Sequence, residues 1–313
     1  MQYQCSPTAT SDTSFSTGLT FAPFPQFTDL TRAGTISVSV SDFYQAHNSA
    51  DCLDHRITHA TTLPPLSSGQ AKYQFEMEHI YEGAWISNFL SWLEKTEKIP
   101  CTDMHDIFFT PRSTNNAGAS WAQALMHSLG STTNQADLVF LWKYENGMKR
   151  LLFSDNDIIA STRWRASDAE WKIKKIATVG RAMAYMGEPD IGAKLLDSAK
   201  RVEATLNAMV ASLPAATLER LGDLGEADEM ARRHRRWLNG FMVSRNEVAR
   251  TSMSSWASEA SKEFVKSSPA AAVASASDAI RAREWTRTTS LLWALQTEPP
   301  RGFDGAKYAP LLQ

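Results

Sequence analysis

Residues 167–186, SDAEWKIKKIATVGRAMAYM, set Trp171, Ile176, Val179, Met183 and Met186 along one stripe. Side chains three or four residues apart share a helix face, so this spacing predicts an amphipathic helix with the stripe turned inward. Gly187-Glu188-Pro189 ends it, since proline cannot continue the helix behind it. The pattern returns on the C-terminal side. Residues 191–213 predict the next helix, and residues 226–265 a longer one carrying Met230, Trp237, Phe241, Val248 and Trp256. Ser267-Ser268-Pro269 and an alanine-rich stretch break the pattern, and residues 279–295 predict a last helix. From about Ser161 onward the chain reads as helix.

Upstream of that point the texture is mixed. Residues 1–18 are rich in Ser and Thr and predict a loose arm. Phe21, Phe24 and Phe27, then the alternating Thr35-Ile36-Ser37-Val38-Ser39-Val40-Ser41, predict strand. Residues 75–98 place Ile80, Trp85, Phe89, Trp92 and Leu93 near helical spacing, with Pro100 as the stop. Pro100 and Pro111 bracket an expected loop, and residues 120–129 a short helix ended by Gly130. Residues 136–142 predict a buried strand; Asn146-Gly147 then signals a turn, with Leu151-Leu152-Phe153 as the returning strand of a hairpin. The fold class is therefore α+β, a small β-containing N-terminal part packed on a mainly helical C-terminal half. The parts are an arm at 1–18, a mixed segment at 19–160 and a helical segment at 161–313, either as separate domains or as one continuous domain.

Composition narrows the function classes. The 313 residues are 43% hydrophobic and 21% charged, as in a folded protein with a sizeable core. Ten Trp predict an aromatic-rich core or pocket. A net charge of −2 offers no electrostatic reason for a nucleic-acid or anionic-membrane partner, and the partner class stays open between a small molecule and a nucleic acid. Oligomeric state is equally open. No apolar run is long enough for a membrane span. Cys5, Cys52 and Cys101 form neither a disulfide framework nor a zinc pattern, though one disulfide is open to them. The first twenty residues lack a basic n-region and an apolar h-region, so the reading is cytoplasmic, with a mature secreted domain as the competing one.

The candidate site is Glu76-Met-Glu78-His79-Ile-Tyr-Glu82, at the expected start of a helix. Glu76 and His79 are three apart, as are His79 and Glu82, so each pair would share a face. A carboxylate beside an imidazole holds its tautomer and raises its basicity, which predicts His79, Glu78 and Glu82 as acid–base groups. Glu76, Glu78 and His79 would be the ligands of a divalent metal, the one cofactor this donor set suggests. The competing reading is that acids favour the positive end of a helix.

Other clusters read as less specific. His55 and His59 have i, i+4 spacing near Asp51 and Asp54, but Ile57 and Thr58 favour extended backbone that separates the rings. Glu226, Asp228 and Glu229 ahead of Arg232, Arg233, Arg235 and Arg236 predict a solvated salt-bridged face. G-x-G-x-x-G, P-loop, G-x-S-x-G and C-x-x-C motifs are absent, which removes common nucleotide, acyl-hydrolase and thiol-redox readings.

Three resemblances attach to these residues. Phe75–Glu82 with Trp85, Phe89 and Trp92, followed by Asp137–Trp142 and Asn146-Gly147-Met148-Lys149, resembles fungal proteins related to the region downstream of the hydrolase domain in class V chitinases (killer-toxin-like), over about residues 70–210. The Glu-His-Ile-x-Glu core is similar to the start of HNH-type toxin nucleases. That likeness implies a phosphodiester hydrolase with His79 as general base, Glu78 at a metal, and Asn116 or Asn146 orienting the base. Here Gly83-Ala84 stands in place of the usual Leu-Gln. Asp103-Met-His105-Asp106 with Asn156-Asp157 resembles the metal boxes of class I terpene cyclases, which implies Asp103 and Asp106 as carboxylates for Mg²⁺ and a diphosphate. A non-catalytic binding or interaction protein is the alternative to both enzymes.

Overall fold

The computed structural model describes residues 2–6, 14–20, 42–48, 54–62, 75–111, 119–130, 135, 138–154 and 156–267. Its main sheet contains β3 (Phe43–Ala46), β4 (Ile57–His59), β5 (Phe75–His79) and β6 (Leu138–Trp142), ordered β4-β3-β6-β5. β3 and β6 run parallel, while β4 and β5 are antiparallel to their neighbours. The run Leu138-Val-Phe-Leu-Trp142 is apolar throughout because both faces of a central strand are covered. Val139 and Leu141 join the main core, while Phe140 stacks on Phe43 at 4.5 Å in a second cluster with Phe75.

β1 (Gln2–Cys5) pairs antiparallel with β2 (Phe15–Gly18), which corrects the expected looseness of the arm at 1–18. Tyr3 and Cys5 point inward and Gln2 and Gln4 outward, a period of two that the Ser/Thr-rich composition conceals. Cys5 is disulfide-bonded to Cys101.

Helix α1 spans Gly83–Lys95 and buries Trp85, Ile86, Phe89, Leu90 and Leu93. Residues 75–79, expected as its first turns, are strand β5: Phe75 and Met77 alternate with Glu76 and Glu78 and pair with β6. α2 (Cys101–Met104) runs into a π-helical turn at His105–Phe109, where a loop was expected. Pro100 stands just ahead of α2, a place proline favours, and Met104, Ile107 and Phe108 are buried beneath it. α3 (Trp121–Ser128) starts with the Ser120 hydroxyl accepting from Gln123 N at 3.2 Å.

The largest correction is α4 (Lys143–Leu152), which replaces the expected hairpin. Its buried residues Glu145, Met148, Lys149 and Leu152 follow the helical period, and that overrides the Asn146-Gly147 turn signal. Then follow α5 (Ser161–Ala166), α6 (Ala169–Met186), α7 (Pro189–Ser212), α8 (Ala215–Leu221) and α9 (Glu229–Ser267); α6, α7 and α9 keep close to the expected bounds, while the spacing does not single out the short α5 and α8. α6 packs against α4 and α9, and α7 against α3 and α9. A single hydrophobic cluster runs from Tyr3 to Ala260, across the change of texture near residue 160. The architecture is α+β and mainly helical, and no helix among the described residues is long and apolar enough to cross a membrane. The strand expected at 35–41 and the helix expected at 279–295 lie outside the described residues.

Candidate functional site

The β5 register decides where the acids go. Glu78 pairs with Val139 and Glu76 with Leu141, so both glutamates lie on the face that β6 turns to the helical core. His79 pairs with Leu138 and lies on the opposite face of β5. The predicted sharing of a helix face by Glu76, His79 and Glu82 therefore does not occur.

Lys149 reaches the acids from α4. Its ammonium is fully buried and donates to Glu78 Oε1, to the His79 carbonyl at 2.8 Å and to Glu82 Oε1 at 3.0 Å. Three donors meet three acceptors, with the Trp85 ring centroid 5.7 Å away. Glu82 is the N-cap residue of α1 yet makes no side-chain cap, because its carboxylate is turned to Lys149. Two carboxylates around one ammonium leave a buried negative charge. Burial pushes the Glu78 carboxyl up to about 8; Lys149 opposes this and the charges of Glu82 and Glu76 add to it. Burial works against the Lys149 charge, but Glu78 and Glu82 outweigh it and hold the ammonium above its ordinary value. With a proton on Glu78 the cluster is neutral.

The other predicted residues are dispersed. His79 is hydrogen-bonded to the Gly130 backbone, and burial pushes its imidazole down to about 4, so it is neutral at pH 7. Asn146 donates to Glu76 Oε2 at 3.2 Å and Lys143 lies 3.7 Å from Glu76 Oε1, both away from His79. Among the described residues one group has metal-ligating atoms close enough to share an ion, Cys5, Glu94 and Cys101, and its two sulfurs are spent in the disulfide. Glu76, Glu78 and His79 do not converge in that way. Asn116, the other residue implied as an orienting group, lies outside the described residues.

Asp103 is bound by the Arg220 guanidinium at 2.9 Å, whereas Asp106 is 63% exposed and 3.7 Å from His105. One carboxylate is neutralised and the other is in water, unlike a pair set to hold a diphosphate. His59 lies on β4 and packs against Tyr44 with the rings tilted and their centroids 4.4 Å apart, and the extended backbone rules out the helical pairing with His55. Glu229 bridges Arg232 and Arg233 along the helix, as expected, but it is buried rather than solvated, and Arg235 pairs instead with the buried Glu203 of α7.

Sequence reading missed the partners on α4 and α6. Glu145, fully buried, accepts from Arg181 Nε at 2.6 Å, and Arg181 also donates to the Asp54 carbonyl at 2.8 Å. Burial would raise the Asp54 carboxyl, but hydrogen bonds from Arg56 and His47 hold it well below the usual carboxylate range. Tyr185, one turn beyond Arg181, is fully buried and its hydroxyl has no hydrogen bond; burial first, and then the neighbouring acidic groups Glu78, Tyr44 and Glu82, hold its proton well above the ordinary phenol value. The available signal was the spacing 145, 148, 149, 152, which marks Lys149 as a buried position once it is read as helix. Beside the site, Tyr81 turns into the core and its hydroxyl lies 2.8 Å from His234 Nε2. No protein-family model, curated protein or solved structure matches this chain.

Proposed function

We propose that this is a non-catalytic binding or interaction protein of an oxidising compartment, in which Glu78, Lys149 and Glu82 form a structural ion cluster. The observation that carries the reading is the Lys149 ammonium, which takes the place a metal would need and spends all three donors on the cluster. An enzyme of the expected kind needs Glu78 and Glu82 free to meet substrate or ion; here both are committed to tying α4 to β5 and the start of α1. The Cys5–Cys101 disulfide supports the compartment, because cytosolic thiols are kept reduced.

The test is calorimetric titration of the oxidised chain with Mg²⁺, Mn²⁺ and Zn²⁺, beside cleavage assays on DNA and RNA. No stoichiometric ion and no cleavage are expected, and His79→Ala should change only the melting temperature. Metal-dependent cleavage that disappears in a folded His79→Ala variant would replace this reading with the hydrolase.

One observation favours that second reading, a general acid–base enzyme centred on Glu78, His79 and Glu82. The Tyr185 hydroxyl is buried without a hydrogen bond close to Glu78, whose carboxyl burial pushes up, and such perturbed groups gather at reactive sites. A pH-dependent activity lost in both Glu78→Gln and Tyr185→Phe would support it.

A further inference from the structure

A groove of about 350 Å³ opens between the segment leading into α5, α5 itself and the middle of α9. Its volume falls in the range of small-ligand sites. The aromatic part is Trp164, buried, and Trp256, half-buried, with ring centroids 5.3 Å apart. Trp164 Nε1 donates to Glu259 Oε2 at 2.7 Å, which fixes the ring and the carboxylate together. Arg245 Nε donates to the Leu152 carbonyl at 2.8 Å and Nη2 to the Asn156 carbonyl at 3.3 Å, so this guanidinium is held in place as well. Asp157 and Arg165 complete the charged rim, both exposed.

That rim carries both signs. An anionic ligand would meet Asp157 and Glu259, and a cationic one would meet Arg165 and Arg245, each at a desolvation cost. Fixed donors beside fixed acceptors suit groups that both donate and accept, which are hydroxyls. Indole faces suit a ligand with apolar C–H surface as well. We propose that this groove binds a neutral, hydroxyl-rich ligand with an apolar face, that is, a short saccharide. The groove lies apart from Glu78, Lys149 and Glu82, and the inference does not rest on the role given to them.

The experiment uses the full oxidised chain on an array of neutral and anionic oligosaccharides, followed by calorimetric titration with the strongest neutral binder. Saturable binding of a neutral saccharide is expected, weakened from a few-fold up to about tenfold by Trp256→Ala, on the scale of one lost aromatic contact. Because Trp256 also packs on Trp164, Asp157→Ala is the companion variant. Its side chain makes no described contact, so a several-fold loss of binding at unchanged melting temperature is expected. The proposal is overturned by no neutral saccharide binding at millimolar concentration, by binding of anionic glycans alone, or by Asp157→Ala binding as the parent does. The metal titration above reads the other site, so either reading can fail without the other.

Discussion

Lys149 Nζ and Glu82 Oε1 lie 3.0 Å apart, with the lysine side chain wholly buried and the glutamate 17% exposed. This contact ties α4 to the residue that opens α1, across 67 positions of sequence. Lys149→Met would leave Glu78 and Glu82 facing each other in a dry site. A loss of roughly 3–5 kcal/mol is expected, the scale for removing one partner of a buried ion pair. Urea denaturation measures it, and adding Glu82→Gln should return part of the loss. A Lys149→Met variant as stable as the parent would contradict the structural role.

Acid should act through His79. Its imidazole protonates near 6.5 when unfolded but near 4 in the folded protein. Between those values the unfolded chain holds the extra proton, so His79 makes stability fall as pH drops from about 6.5 to 4, by roughly 3 kcal/mol in all. Glu78 works in the opposite sense. Its folded carboxyl keeps a proton up to about 8, while the unfolded one releases it near 4.5, so stability falls as pH rises through that window. The two oppose each other between about 4.5 and 6.5. His79→Gln should therefore turn a shallow profile there into a steady decline with rising pH. Chemical denaturation in buffers across the range tests this, and a profile unchanged by His79→Gln would count against it.

Tyr185→Phe should be neutral or slightly stabilising. The hydroxyl is buried without a hydrogen bond, so removing it ends a desolvation cost and breaks no contact. A loss above about 1 kcal/mol would reveal a bonded partner for the hydroxyl, such as an internal water.

The Cys5–Cys101 disulfide closes a loop of 96 residues and anchors the β1–β2 pair to α2. Loop closure on that scale is worth about 4.7 kcal/mol. Reduction with a dithiol, or the double change Cys5→Ser and Cys101→Ser, should lower the melting temperature by several degrees or more. Labelling of the denatured oxidised chain should find one thiol from three cysteines. Three labelled thiols in the chain from its native compartment would remove both the disulfide and the compartment proposed from it.

The helical half was legible because its signals are local. The stripe of Ile176, Val179, Met183 and Met186 repeats within one helix, and each of these residues is buried as the spacing requires. The cap at Ser120, the end at Gly130 and the apolar run at Leu138–Trp142 are likewise written within a few neighbouring residues. The errors fell where two local signals competed. Asn146-Gly147 reads as a turn and Glu145-Met148-Lys149-Leu152 as a helix face, and packing of α4 against α6 settles it for the helix. Glu76, Glu78, His79 and Glu82 suit either a helix start or an edge strand, and pairing of β5 with β6 settles it for the strand.

The sequence by itself determined an α+β chain, a mainly helical second half and a concentration of acids around His79. Only the tertiary structure decided what those acids do. A strand turns consecutive side chains to opposite faces, which parts Glu78 from His79. The charge that answers Glu78 comes from Lys149, 71 residues away. No periodicity within a single element can announce a partner at that separation, because the contact exists only once the sheet and the helices have packed.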